Sequence, residues 1–155
     1  MKTREANLFR IIAGMYTITN ATYKLKFDDL ENTHQNLIKD VYYSLGGKLE
    51  LPSVNFGKWD IVTNDFIIEL DEEQHFNRYR ALTLESPLYK KHLWFNVAEY
   101  KYLCTGKEAN CLKKAGRGGY WTNTSTENQF GIASNPGDFS GNGSPRWKQR
   151  AFYDF

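Results

Sequence analysis

Apolar positions follow two different rhythms along this chain, and the change of rhythm divides it. Between residues 4 and 16, Leu8, Phe9, Ile11, Ile12 and Met15 recur at helical spacing, with Gly14 weakening the end. This segment is expected to pack on the main body. Asp28 followed by Glu31 has the form of a helix-start box, and Leu30, Leu37, Val41 and Leu45 then draw one apolar stripe as far as Gly46 and Gly47. That is the clearest helix. After Pro52 the period drops towards two: residues 57–62 and 65–71 read as strands, with Thr63 and Asn64 at a hairpin turn.

In the second strand Phe66, Ile68 and Leu70 face one way and Ile67, Glu69 and Asp71 the other. Helical spacing returns from about Gln74 to Glu85 through Phe76, Tyr79 and Leu82, and Ser86–Pro87 closes the run. Residues 88–103, with Trp94, Phe95, Val97 and Tyr100, fit either a strand or an irregular helix. Residues 116–145 are rich in Gly, Asn, Ser and Thr, so most of that stretch is expected to be loop. Pro145 suits the first turn of a last helix from which Trp147, Ala151 and Phe152 would dock. The expectation is one α/β domain over 1–155, with its core at about 22–115 and a loop-rich C-terminal extension over about 116–155.

Composition narrows the class. With 41% apolar and 15% aromatic residues the 155-residue chain can build a core, and a net charge of +2 excludes a histone-like tail. Two cysteines, Cys104 and Cys111, are too few for a disulfide scaffold or a four-thiolate zinc site. No charged-then-apolar leader and no bilayer-length apolar run is seen, so cytoplasmic residence without a membrane partner is expected. The small net charge hides a segregation. Residues 60–77 hold six acids and no Lys or Arg, whereas residues 78–117 hold nine Lys or Arg and three acids.

The acidic stretch is where chemistry is expected. If the hairpin forms about Thr63–Asn64, Asp60 lies near the strand partner of Ile67, Glu69 is its close diagonal neighbour, and Glu69 shares a face with Asp71. Like charges on a half-buried sheet repel and are costly to desolvate unless something compensates them. A cation would do so. Carboxylate oxygens suit Mg²⁺ or Mn²⁺, ions that activate water and offset charge on a phosphoryl oxygen, which points to phosphodiester hydrolysis. The plainer alternative is an ordinary turn followed by a solvated strand end.

The run Glu69–x–Asp71–x–x–x–His75 at the end of this hairpin resembles the restriction-endonuclease-like superfamily, nearest its very-short-patch-repair-like branch, over residues 57–85. The resemblance implies a central mixed sheet flanked by helices. It also implies that Asp60 and Glu69 hold the cation, that Asp71 stands where Lys is more usual and ligates or orients water, and that His75 relays a proton. An acid on the first core helix completes such sites, which makes Glu31 a candidate alongside its capping role. DNA is the expected substrate, and double-strand cutting would call for two sites, hence a homodimer.

Flanking cations must draw a polyanion to so acidic a centre. Arg78, Arg80, Lys90 and Lys91 are the nearest, Arg78 being favoured as a phosphate clamp and Arg80 being equally able to bind an acid of the hairpin. Tyr120, Trp121 and Trp147 are candidates for stacking on bases, or for the core. Two other readings stand beside the metal-dependent endonuclease: a non-catalytic nucleic-acid-binding module on a decayed nuclease fold, and a structural or protein-interaction module.

Overall fold

In a computed structural model the chain is described over residues 3–21, 26–52, 54, 59–115, 122–133 and 145–155. It is helix-rich with a small antiparallel sheet, and it forms two compact units, Met1–Leu25 with Phe56–Asp71, and Lys26–Asn55 with Glu72–Phe155.

The first unit holds α1 (Thr3–Ala13) and the hairpin of β1 (Ile61–Val62) and β2 (Ile67–Ile68). Ile12 is the buried residue of α1, while Ile11 and Met15 stay exposed. Ile61 pairs with Ile68 and Val62 with Ile67, and Ile18 bridges to Thr63 on the other side of β1. Thr63 makes the turn. Its amide and its hydroxyl both donate to the Phe66 carbonyl at 2.9 Å, and its oxygen accepts the amides of Asp65 and Phe66 at 3.2 and 3.0 Å. The corner is therefore Asn64–Asp65, one residue later than the expected Thr63–Asn64. A turn moved by one residue moves every strand partner by two, so faces are kept but the residue opposite Asp60 becomes Glu69 instead of Ile67. Among the described residues the sheet is these two short strands.

The second unit is helical. A 3-10 turn (Phe27–Asp29) leads to α2 (Asn32–Ser44), followed by α3 (Arg78–Thr83), a 3-10 turn (Pro87–Lys91), α4 (Val97–Ala115), α5 (Thr124–Phe130) and α6 (Pro145–Tyr153). Val41 and Leu45 of the α2 stripe, with Tyr42 beside them, meet Tyr79, Cys111, Phe130, Trp147, Ala151 and Phe152 in one core. The Tyr42 ring stands 5.2 Å from both Phe130 and Phe152, and its hydroxyl donates to the Gln129 carbonyl at 2.9 Å. Chain reversal after α2 depends on two glycines: Gly46 has φ +84°, and a Cβ on Gly47 would lie 2.3 Å from the Tyr42 ring.

Three expectations change, and one open alternative is decided. The Asp28–Glu31 box does not form: Glu31 is the residue just before α2 and makes no side-chain cap, while Asp29 accepts the Lys26 amide at 3.3 Å. The helix expected from Gln74 starts at Arg78, because Asn77 captures the amides of Tyr79 and Arg80 at 3.0 and 3.2 Å. Residues 97–103 are helical, opening α4. Residues 124–130, read as loop, form α5, whose start is a reciprocal cap between Asn123 and Thr126 at 2.9 and 2.8 Å. The turn text at 135–137 and 141–144 lies outside the described residues.

Candidate functional site: an acidic hairpin clasp and a locked histidine

The open end of the hairpin, in the first unit, brings Asp60 and Glu69 together. Asp60 Oδ2 accepts the Leu70 amide at 2.8 Å, and Glu69 Oε2 accepts the Asp60 amide at 3.4 Å. Each carboxylate thus reaches across to the opposite strand, where the ladder hydrogen bonds stop. Both residues are exposed. Asp71 follows two residues later, half-buried, and closes this unit. Asp60 and Glu69 are thus carboxylates each aimed by a backbone amide, an arrangement that also serves to fasten the strand ends.

His75 belongs to the second unit and is only 6% exposed. Its Nδ1 lies 2.8 Å from Asp154 Oδ2 and its Nε2 2.7 Å from an Arg150 guanidinium nitrogen. A guanidinium can only donate, so Nε2 must accept, and the ring proton sits on Nδ1 and goes to Asp154. Arg150 also donates to Gln74 Oε1 at 3.0 Å. The Gln74 carbonyl in turn accepts from Cys111 Sγ at 3.4 Å and from Asn77 Nδ2 at 3.5 Å. Arg150 near the end of α6 and Asp154 just past it therefore grip residues 74–75. Proton relay by His75 would require Arg150 to leave Nε2. Asp154 and Arg150 were not candidates from sequence, since nothing across separations of 79 and 75 residues links them to His75; the only signal was the apolar pattern that docks α6.

The remaining candidates are placed as follows. Glu31, in the second unit, is exposed, with Oε2 3.9 Å from His34 Nδ1. Arg78 makes the paired hydrogen bonds expected of it, but to Glu108: Nε to Oε1 and one terminal nitrogen to Oε2, both at 2.8 Å, with the Arg78 amide adding a third bond at 2.9 Å. Burial works to raise the Glu108 carboxyl, yet the bonds from Arg78 and its charge outweigh this and hold it below the usual value of 4.5. Arg80 is 5% exposed, donates to Thr83 Oγ1 and Tyr89 Oη at 2.9 Å, and lies over the Tyr89 and Tyr100 rings. Lys90 and Lys91 are exposed. Trp147 is in the core, and Tyr120 and Trp121 lie outside the described residues. Cys104 and Cys111 are both buried and form no disulfide with each other, and burial pushes the Cys111 thiol up to about 11. No helix among the described residues is long and apolar enough to cross a membrane.

An exposed acidic clasp on a short hairpin and a helical unit closed by a buried histidine lock define the class only as a mixed, helix-rich protein. The chain belongs to a family of unknown function, DUF7255, whose model matches residues 40–155. No curated protein and no solved structure matches it. The matched span includes Asp60, Glu69, Asp71, His75, Arg150 and Asp154 and leaves Glu31 outside.

Proposed function

We propose that the chain is a divalent-cation-dependent endonuclease with its centre at the Asp60–Glu69 clasp, on a restriction-endonuclease-like core of a central mixed sheet flanked by helices. One observation carries the reading: the hairpin register sets two carboxylates opposite each other, exposed and aimed by backbone amides. Asp60 and Glu69 would hold Mg²⁺ or Mn²⁺, with Asp71 as a third carboxylate close by in sequence. The bound ion would supply an activated water and offset charge on the scissile phosphate. Lys90 and Lys91 remain as cations for the nucleic-acid backbone; Arg78 is paired with Glu108 at the surface and Arg80 is buried. The substrate is DNA in this reading, and a homodimer is needed only for cutting both strands.

A second reading has its own observation. Each carboxylate already accepts a backbone amide, so the pair also makes sense as a strand-end clasp in a structural or nucleic-acid-binding module. Asp60→Asn separates the two. The amide oxygen can still accept from Leu70, but the negative charge is gone. For a nuclease, cleavage of a DNA substrate in Mg²⁺ or Mn²⁺ falls at least about a hundredfold while the melting temperature barely moves. If cleavage survives both Asp60→Asn and Glu69→Gln, the metal centre is lost as an idea and the clasp is structural.

A further inference from the structure

Residues 86–96 contain no acid and carry Lys90 and Lys91, both exposed, at the end of the 3-10 turn. Beyond them the chain places Leu93 and Trp94 in water, 97% and 81% exposed. A mobile accident would explain one such residue; this tip is built. The His92 amide donates to the Tyr89 carbonyl at 3.2 Å and the Phe95 amide to the His92 carbonyl at 2.9 Å, closing a tight turn under Trp94. Phe95 is anchored below by Tyr89 and Tyr100, at 5.3 and 5.4 Å between ring centroids, and those two rings frame the buried Arg80. Trp94 meets Phe95 edge to face at 83° and His92 at 60°, so neither neighbour lies flat on the indole. A flat partner can.

We infer that the Lys90–Trp94 turn is a stacking platform for an unpaired nucleobase, with Lys90 and Lys91 on the flanking phosphates and Leu93 as an apolar shelf beside the ring. This rests on the nucleic-acid reading above and narrows it to single strands or frayed ends. Bases in a duplex already stack on each other and hide their faces, whereas an unpaired base offers one to any exposed aromatic. Stacking needs no particular base, so the preference is for strandedness rather than sequence. The same basic, apolar tip could in principle meet an anionic membrane, but the open indole face and the adjacent imidazole serve a planar ligand, and only two apolar side chains are available to enter a bilayer.

The test is equilibrium binding of a fluorescent oligonucleotide of about twelve nucleotides to the full chain in EDTA, compared with the duplex of the same sequence. The expected result is single-strand binding at least about tenfold tighter than duplex binding. Trp94→Ala should weaken it about tenfold, with Trp94→Phe restoring most of the loss. Lys90→Ala with Lys91→Ala should flatten its salt dependence. Because Trp94 is so exposed, its replacement should leave the melting temperature unchanged, so lost affinity would not be lost folding. Equal affinity for both strand states, or no effect of Trp94→Ala, overturns the platform. So does Trp94-dependent binding to phosphatidylserine-containing vesicles without oligonucleotide binding. Should binding hold in EDTA while no metal gives cleavage, the platform stands and the hydrolytic reading alone fails.

Discussion

At the scale of single residues, side chains of similar type have been put to different uses by their surroundings. Arg78 and Arg80 sit two positions apart, yet one is clamped on Glu108 at the surface and the other is sealed among tyrosines. The Glu108 carboxyl is held low, so its share of stability is fully present above the unfolded value of 4.5 and disappears as pH falls through the lower folded value. Since Arg78 is more than half exposed, that share is no more than about 1 kcal/mol. Urea midpoints for wild type and Glu108→Gln should differ at about pH 7 and converge on acidification. Cys111 illustrates the opposite shift. A thiol raised to about 11 holds almost no thiolate near neutrality, so in the native chain it should resist a thiol-disulfide reagent that titrates it readily once denaturant is added.

At the scale of elements, what was legible in the sequence depended on whether a local signal was strong enough to act alone. The stripe of α2 with its Gly46–Gly47 stop, and the Pro145 start of α6, could be read because their apolar spacing and these terminal residues agree with what the fold uses. α5 was not legible. Thr124, Ser125, Thr126 and Asn128 are indifferent helix formers, and the helix exists because Asn123 and Thr126 cap each other while Thr126, Gln129 and Phe130 are buried. Removing that cap by Asn123→Ala should cost about 1 kcal/mol, read as a lower denaturation midpoint, and Asn77→Ala should cost a similar amount at α3. The hairpin was legible as a hairpin, but its register was not. Thr63, expected at the corner, lies just before it, and its hydroxyl takes up the turn amides. That one-residue difference is what sets Asp60 against Glu69.

At the scale of the molecule, the second unit is closed by its last helix. Phe152 and Trp147 fill the core from α6, and Arg150 on the same helix with Asp154 just past its end holds His75. Phe152→Ala should therefore cost about 3–5 kcal/mol, seen as a fall in the denaturation midpoint, and should loosen protection of amides in α5 and α6 together. His75→Ala should also destabilise strongly, since it leaves the half-buried Arg150 and Asp154 without their shared partner.

The order of residues by itself determined the periods, and with them α2, the last helix and the hairpin. These are local properties, set by 3.6 or 2 residues per repeat and by caps and turns a few positions away. Tertiary structure alone decided which partner each charged group found. The Arg78–Glu108 pair spans 30 residues and the His75–Asp154 pair 79, and only packing brings such distant groups within hydrogen-bonding reach. Composition could mark the acids and bases as unevenly spread; whether a given cation faces a phosphate or a glutamate depended on which helix packed beside it.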